Sequence, residues 1–348
     1  MTNREDKLIS IVVPIYFEEE IVHELYARLI SSARLYEPYD YEIIFVNDGS
    51  QDQSLKILRG YQEKDHHVKI IDLSRNFGHQ LAISAGIDYA SGDAIVVIDG
   101  DLQDPPEVIA DLIKKWEEGF HVVYAVRKKR PGETFLKLVT AKYFYRLLSK
   151  LSDVEIPLDA GDFRLMDREV ARNLCNMREE SRYIRGMVSW LGFRQVGVYY
   201  ERDKRFAGET KYSWRKMISF ALDGVTSFSE RPLYLASFVG MFIALVAFLW
   251  GGWIIFERLY GIADSIVGWS STIVTILFLG GLQLFFIGII GQYLGRVYRQ
   301  SKSRPLYVVG KLYGFDPDIS TIGDHRDSTL QPRGIYRSNH QIHPGPEL

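Results

Sequence analysis

Short apolar runs alternate with helical patterns along the first part of the chain. Runs of strand length, rich in Val and Ile, occur at Leu8–Val13, Tyr41–Val46, Val68–Leu73, Ala94–Ile98 and His121–Val126. Apolar residues at helical spacing lie between them, at Glu18–Leu35, Ser54–Glu63, His79–Ala90 and Pro105–Glu118. Continuous apolar strands separated by helices are typical of a mostly parallel sheet that is covered on both faces. The pattern therefore predicts an α/β domain whose ligands bind at the carboxyl ends of the strands.

The last third of the chain has a different pattern, because two long stretches carry no charged residue. Leu233–Phe256 has 24 residues and Ile266–Gly295 has 30. About 20 helical residues cross a bilayer, and a buried hairpin in a soluble core would rarely stay uncharged for so long. By the positive-inside rule, we expect an integral membrane protein, in the plasma or inner membrane if bacterial, with the N-terminal domain and both termini in the cytoplasm. The basic residues that flank the stretches and carry this expectation are Lys211, Arg215, Lys216, Arg231, Arg296, Arg299, Lys302 and Arg304.

The overall composition conceals this division. Mean hydropathy is −0.08, and 42 basic side chains stand against 44 acidic ones, for a net charge of −2. This balance argues against a nucleic-acid binder, which would carry an excess of basic residues. The single cysteine, Cys175, excludes an intrachain disulfide and a multi-cysteine zinc site. No signal-peptide pattern opens the sequence, so we expect no signal peptide.

These patterns divide the chain into four parts. We expect a cytoplasmic α/β domain over residues 1–212, a juxtamembrane segment with an interfacial helix over 213–231, two transmembrane helices over 232–296, and a basic cytoplasmic tail over 297–348 whose end is disordered. Small residues on the second transmembrane helix allow close helix packing and favour a homo-oligomer. These residues are Gly280, Gly281, Gly288 and Gly291.

Polar residues follow the predicted strands at the point where each strand ends. Asp48 follows the second strand, Arg75 the third, and Asp99-Gly100-Asp101 the fourth. Since the carboxyl ends of parallel strands meet at one edge of a sheet, we expect these side chains to lie together. A D-x-D sequence after an apolar strand can hold Mg²⁺ or Mn²⁺ on its carboxylates, although alone it is more often an acidic turn. Neither G-x-G-x-x-G after the first strand nor a Walker A sequence occurs, which argues against a dehydrogenase or a P-loop nucleotidase.

Five ordered motifs resemble a known family. The sequences VVPIYFE (Val12–Glu18), VNDGS (Val46–Ser50) and DGDLQDPP (Asp99–Pro106) are similar to those of the inverting glycosyltransferases of the second family, which have the Rossmann-like GT-A fold. RNFGHQ (Arg75–Gln80) and DAGDFRL (Asp159–Leu165) resemble its polyprenyl-phosphate branch, which includes dolichol-phosphate mannose synthase and the GtrB-like glucosyltransferases. The two apolar stretches favour the GtrB-like type. The resemblance implies a GT-A domain followed by a C-terminal two-helix transmembrane hairpin.

The resemblance also implies an activity and a set of site residues. It implies inverting transfer of a sugar from a nucleotide sugar, with UDP-glucose as the expected donor, to the phosphate of a polyprenyl phosphate in the lipid bilayer. The metal, Mg²⁺ or Mn²⁺, and the pyrophosphate are expected on Asp99, Asp101 and Gln103. The expected contacts to the donor nucleotide are Pro14, Tyr16, Glu18, Asp48, Arg75 and Asp99. The family usually has Asn after this tyrosine, and because Phe17 stands there, the backbone around Pro14 and Tyr16 is the expected nucleobase contact.

The acceptor chemistry follows from the charge of a phosphomonoester. Its second pKa is ~6, so at neutral pH it is mostly dianionic and needs no strong general base. Basic side chains must instead neutralise it and enforce in-line geometry. The candidates for the lipid phosphate are Arg127, Lys137, Arg205 and Lys211, each of which could also be a surface charge. The catalytic candidates are Arg127, Arg205, Asp159 and Asp162.

Several details of the predicted site stay open. The two carboxylates, Asp159 and Asp162, are expected to orient the acceptor, to take a residual proton, or merely to cap the next strand, and Arg164 is expected to pair with one of them. His79 begins a helix and is expected at most to contact a phosphate. A mannosyl- or aminosugar transferase would share these motifs. A processive polysaccharide synthase would carry Q-x-x-R-W, which is absent, and a catalytically silent scaffold on the same fold is the alternative outside the enzymes.

Overall fold

The computed structural model describes residues 7–128, 160–180, 182–201, 231–260 and 268–316. Its strands are β1 Leu8–Ile15, β2 Asp40–Asn47, β3 Val68–Leu73, β4 Ala94–Val97, β5 Val122–Arg127, β6 Ala160–Asp167, β7 Gln195–Tyr200 and β8 Val309–Tyr313. Its α-helices are α1 Val22–Ala33, α2 Ser54–Gln62, α3 His79–Tyr89, α4 Ile109–Glu117, α5 Arg168–Asn176, α6 Ile184–Trp190, α7 Arg231–Leu259 and α8 Trp269–Ser301. Short 3-10 helices lie at Arg34–Tyr36 and Pro106–Val108.

The described strands form a single sheet in the order β7-β5-β6-β4-β1-β2-β3-β8. Strands β4, β1, β2 and β3 pair in parallel, and so do β5 and β7. Strand β6 runs antiparallel to both of its neighbours, β4 and β5, and β8 runs antiparallel to β3 at the edge. The prediction of a mostly parallel α/β sheet is confirmed, with β7 and β8 as strands that the sequence pattern did not predict.

Two apolar layers cover the sheet, because successive residues of its central strands point to opposite faces. In β1, Ile9, Ile11 and Val13 are buried in a layer that includes the apolar faces of α1, α2 and α4. Val12 belongs to the opposite layer, with residues of α3, α5 and α6. Both faces of β1 are therefore dry, which explains its nearly continuous apolar sequence. The five predicted strands and four predicted helices are present, and their ends are shifted by a few residues.

Two long helices follow β7 in the sequence. Helices α7 and α8 pack against each other, and within the described residues the stretch Phe278–Ser301 of α8 is long and apolar enough to cross a membrane, with a mean hydropathy of 1.5 and no burial inside the protein. The apolar part of α7, Ser237–Trp250, is shorter. Helix α7 continues through Glu257 to Leu259, three residues beyond the end of the first uncharged stretch at Phe256.

The chain returns to the sheet after α8. Strand β8 pairs with β3, with Ile70 opposite Tyr313 and Ile71 opposite Leu312. The sequence division assigned residues 297–348 to a cytoplasmic tail, whereas the structure places part of that range in the sheet of the N-terminal domain. The sequence did not reveal this pairing because β8 is a five-residue edge strand with two exposed positions. The predicted disordered end lies outside the described residues.

Candidate active site

The predicted polar residues meet at the carboxyl edge of the sheet. Asp48 follows β2, and Asp99 follows β4 two residues after that strand ends. Because β6 runs antiparallel to β4, its beginning lies at this same edge and brings Asp162 to the cluster. Helix α3 begins there as well, with His79 as its first residue. Carboxylates from two parallel strand ends and from one antiparallel strand therefore surround the start of one helix.

The turn that carries the D-x-D sequence lies tightly against the end of β1. A Cβ atom at Gly100 would lie 2.9 Å from the carbonyl oxygen of Pro14, so only glycine allows this approach. The backbone N–H of Gln103 donates to Oδ1 of Asp101 at 3.1 Å, and Leu102 has a left-handed φ of 55°. The turn that holds Asp99 and Asp101 therefore includes a left-handed residue, and such strained backbone is common at functional sites.

The donor atoms of this turn fit a hard divalent cation. Oδ1 of Asp99 is buried and makes no well-aligned hydrogen bond with the described residues, although Nε2 of His79 lies 3.3 Å from it. Two carboxylates and the amide oxygen of Gln103 are the oxygen ligands that Mg²⁺ and Mn²⁺ prefer.

His79 occupies the centre of the carboxylate cluster. Its Nε2 lies 3.3 Å from Oδ1 of Asp99 and 3.3 Å from Oδ2 of Asp162. Burial alone would lower the pKa of His79, but the carboxylates of Asp162 and Asp99 raise it to about 10. The imidazole is therefore a cation between two anions at neutral pH. The local sequence predicts for His79 only a contact at a helix start, because the neighbouring Asp162 comes from a strand 83 residues later in the chain.

Asp162 is held on several sides. Nε of Arg185 donates to its Oδ1 at 2.8 Å, and Nη2 of Arg185 and Nε2 of Gln80 donate to its Oδ2 at 3.2 and 3.0 Å. Burial alone would raise the pKa of Asp162, but His79 and Arg185 hold it well below its usual range. A carboxylate that is 5% exposed and stays ionised is a poor proton acceptor, so these contacts favour orientation over proton transfer.

Among the described residues Arg164 does not donate to Asp162; instead, its Nη2 donates to the carbonyl oxygen of Gly161 at 3.0 Å. A pairing of Arg164 with Asp159 stays a prediction, because Asp159 lies outside the described residues. Burial lowers the pKa of Arg164 to about 10. Arg185 on α6 takes the place beside Asp162, and the sequence offered no signal for it, because its role depends on how α6 packs on the sheet.

Asp48 organises the loop that precedes α3. Its carboxylate accepts hydrogen bonds from the backbone N–H groups of Phe77 at 2.7 Å and Gly78 at 2.9 Å, and from Nδ2 of Asn76 at 2.9 Å. Burial raises the pKa of Asp48, and the two backbone donors oppose that shift. The guanidinium of Arg75 lies 4.0 Å above the ring of Phe77 in the same loop. Asp48 therefore fixes the loop from which Arg75 and His79 project.

Gly49 makes the contact between this loop and β2 possible. It has a φ of +70°, and a Cβ there would lie 2.5 Å from the backbone carbon of Arg75.

Gly192 has a similar φ of +73° with open space around it, so it serves as a matched control for a substitution at Gly49. We expect Gly192→Ala to destabilise the protein by about 1–2 kcal/mol, the cost of a left-handed alanine. Gly49→Ala should cost about 3 kcal/mol or more in thermal unfolding in detergent and should weaken nucleotide binding. Equal losses in the two variants would contradict the proposed contact.

The end of β1 and the residues that follow it lie beside the D-x-D turn. Pro14 is buried, Tyr16 and Phe17 are half exposed, and their rings meet edge to face with centroids 4.6 Å apart. The carbonyl oxygen of Glu18 accepts the backbone N–H of Val22 at 3.0 Å, so Glu18 lies at the start of α1. Phe17 has a left-handed φ of 57°. Asn adopts this conformation more readily than Phe, which gives a physical reason for the family's usual Asn at this position.

Arg127 lies at the end of β5, and two neighbouring side chains hold its guanidinium in place. Its Nε donates to Oη of Tyr200 at 3.1 Å, and its Nη2 lies 3.5 Å from Oδ2 of Asp104, which is fully buried. Burial would lower the pKa of Arg127, but the charge of Asp104 raises it above its usual value. Tyr200 in turn donates to Oδ1 of Asp104. Arg127 is thus a fixed cation at the carboxyl edge of the sheet. The other predicted site residues, Lys137, Asp159, Arg205 and Lys211, lie outside the described residues.

Comparison with known proteins identifies the family. A profile described as Glycosyl transferase family 2 matches residues 10–175. An uncharacterized glycosyltransferase, YkcC, of Bacillus subtilis is 53% identical over 88% of this chain and 94% of its own length. The chain belongs to glycosyl transferase family 2.

Two further relatives extend the similarity of this family 2 glycosyltransferase over most of its length. An uncharacterized glycosyltransferase of Synechocystis is 45% identical over 88% of this chain and 96% of its own length. The SfII prophage-derived bactoprenol glucosyl transferase of Shigella flexneri is 42% identical over 89% of this chain and 99% of its own length. The predicted family and the prediction of an enzyme are confirmed. The family profile ends before Arg185 and α8, whereas these relatives extend far beyond it.

Proposed function

We propose that this family 2 glycosyltransferase transfers a glucosyl group, with inversion, from UDP-glucose to the phosphate of a polyprenyl phosphate at the membrane surface. The observation that carries the proposal is a carboxylate cluster at the carboxyl edge of a GT-A-like sheet, in a chain that also has a membrane-length apolar helix. Relatives named bactoprenol glucosyl transferase, 41–43% identical over 86–89% of the chain, support the acceptor and the sugar.

Asp99, Asp101 and Gln103 would hold Mg²⁺ or Mn²⁺ in this proposal. The cation, when bound, would neutralise charge on the leaving nucleoside diphosphate as a Lewis acid. The position of two carboxylates and one amide oxygen in a single turn supports this assignment, because these are the ligands that such cations prefer. Pro14, Tyr16, Glu18, Asp48 and Arg75 would contact the nucleotide, with Asp48 acting mainly through the loop that it holds.

The acceptor requires cations rather than a strong base. A phosphate monoester carries nearly its full charge at neutral pH, so the obstacle to reaction is repulsion between two anions. Arg127 is already fixed by Asp104 and Tyr200 and would face the lipid phosphate at low entropic cost. Lys137, Arg205 and Lys211 would complete the phosphate site. Asp162 would orient the reacting groups through His79, and Asp159 would assist it.

We also propose a topology and an assembly. Strand β8 begins eight residues after α8 ends, so the end of α8 must lie on the same side of the membrane as the sheet. Basic residues around that end favour the cytoplasmic side. No described atom lies within 4 Å of the positions that Cβ atoms would take at four glycines of α8, which leaves room for a second copy and favours a homo-oligomer. The glycines are Gly280, Gly281, Gly288 and Gly291.

A panel of labelled nucleotide sugars tests the proposed substrates. Purified full-length protein in liposomes that contain polyprenyl phosphate and Mn²⁺ should transfer label from UDP-glucose to a lipid that mild acid hydrolyses. Label from a mannose or aminosugar donor alone would assign the same site to another sugar. Transfer from none of the donors would support a catalytically silent scaffold and overturn the proposal.

A further inference from the structure

The end of α8 contacts the loop between α5 and α6. Oε1 of Gln300 accepts the backbone N–H of Glu180 at 2.9 Å, and Nε2 of Gln300 donates to the carbonyl oxygen of Arg178 at 3.0 Å. Nε of Arg299 lies 3.9 Å from Oε2 of Glu180. One side-chain amide therefore uses both its acceptor and its donor on the backbone of the same loop, which fixes the direction and the distance of the contact.

A second contact ties this loop to the segment that follows α8. Nη1 of Arg178 donates to Oδ2 of Asp88 on α3 at 2.8 Å, and Oη of Tyr307 donates to the same oxygen at 2.6 Å. Burial raises the pKa of Tyr307, so its hydroxyl remains a donor at neutral pH. The loop is thus bound on one side by Gln300 and on the other by a carboxylate that it shares with the chain after α8.

The loop is also closed on itself. Arg182, which is 9% exposed, donates to the carbonyl oxygen of Leu174 at 3.1 Å and to that of Met177. These contacts join the end of α5 to the residues that lead into α6. Because of these hydrogen bonds, a displacement of the loop at Glu180 would also move the start of α6.

The start of α6 holds the active site. The backbone N–H of Ile184 donates to Oε1 of Gln80 at 3.0 Å, and Arg185 donates twice to Asp162. Gln80 donates to Asp162 with its other end. The described steps from Gln300 to Asp162 are thus hydrogen bonds and two short stretches of chain, residues 178–180 and 182–185, on either side of residue 181, which lies outside the described residues.

We infer that Gln300 is a positioning residue: the end of the membrane helix holds the α5–α6 loop, so that Arg185 and Gln80 keep Asp162 in place beside His79. The rate of transfer then depends on how α8 docks on the catalytic domain. This role goes beyond the proposed substrates, because it concerns how the membrane helix sets the geometry of the carboxylate cluster.

A double-mutant cycle in the full-length protein in liposomes tests this inference. Gln300→Ala should lower kcat about fivefold and leave the KM for the nucleotide sugar within about twofold. In an Arg185→Lys background, which keeps the charge but loses the forked contact, Gln300→Ala should lower kcat by less than about twofold further. Ser301→Ala is the matched control, because its hydroxyl donates within the helix end, to the carbonyl oxygen of Tyr298. Equal losses of kcat in both backgrounds would overturn the inference.

Hydrogen exchange provides a readout that does not depend on the substrates. The backbone N–H of Ile184 should exchange faster in Gln300→Ala and at the wild-type rate in Ser301→Ala. Unchanged exchange at Ile184 would overturn the inference even if glucosyl transfer were confirmed. Faster exchange in a protein that transfers no sugar would support the link between α8 and α6 and count only against the proposed function.

Discussion

Replacing Asp101 with Asn is expected to lower the rate of sugar transfer by about a thousandfold or more. The variant keeps an oxygen that can accept the backbone N–H of Gln103, so the turn should remain folded. It removes a negative charge that the proposed cation site needs. Steady-state transfer in liposomes, measured over a range of Mn²⁺ concentrations, checks this expectation, and melting in detergent should stay near the wild-type value.

The same substitution elsewhere on the surface provides the control. Asp111 on α4 is exposed and pairs with Lys114 at 2.9 Å, so Asp111→Asn removes an equal charge away from the site. Its transfer rate should remain within about twofold of wild type, since surface ion pairs contribute about 0–1 kcal/mol. Wild-type transfer by Asp101→Asn would remove this residue from the metal site.

Asp162→Asn is expected to lower both activity and stability. It takes the charge from a buried carboxylate that faces Arg185, with Arg164 and His79 nearby, and so removes an anion on which these three cations converge. Breaking a buried ion pair costs about 3–5 kcal/mol. Because the cluster also loses its geometry, we expect kcat to fall by about two to three orders of magnitude. Thermal unfolding and transfer rates on the same preparation measure the two effects.

An exposed pair of similar geometry is the control for Asp162. Arg28 donates to Glu107 through Nε at 3.1 Å and Nη2 at 2.7 Å, and the Glu107 side chain is 48% exposed. Glu107→Gln should cost no more than about 1 kcal/mol. If Asp162→Asn cost no more than Glu107→Gln, the cluster would not hold the site together.

The pH dependence of stability follows from the sign of the pKa shift. The folded protein holds the pKa of Asp162 below its usual value, so its stabilising contribution is fully present above about pH 4 and is lost as the pH falls through the folded pKa. The difference in stability between wild type and Asp162→Asn should shrink as the pH falls below about 4. A difference that grows on acidification would contradict the lowered pKa.

The parts of the fold that depend on local sequence were predictable. Period and composition identified the five strands through Val126 and the four helices between them, because each element buries its own apolar face. The rule that polar residues after parallel strands share one edge of the sheet also placed Asp48, Asp99 and Asp101 at its carboxyl edge, where the structure has them.

The partners of the site residues were not predictable, since they depend on long-range packing. Nothing local in β6 indicates that it enters between β4 and β5, yet that insertion is what places Asp162 beside His79. Arg185, and not Arg164, donates to Asp162 because of the way in which α6 packs on the sheet. The pairing of β8 with β3 joins segments more than 200 residues apart.

Metal-dependent formation of a lipid-linked sugar tests the central claim most directly. Full-length protein in liposomes with polyprenyl phosphate and labelled UDP-glucose should place label in an acid-labile lipid, stop when a chelator is added, and resume when Mn²⁺ or Mg²⁺ is restored. The Asp101→Asn protein should form almost none of this lipid under any of these conditions. Undiminished transfer in the presence of chelator, or by Asp101→Asn, would contradict a metal-assisted glucosyl transfer at the carboxyl edge of the sheet.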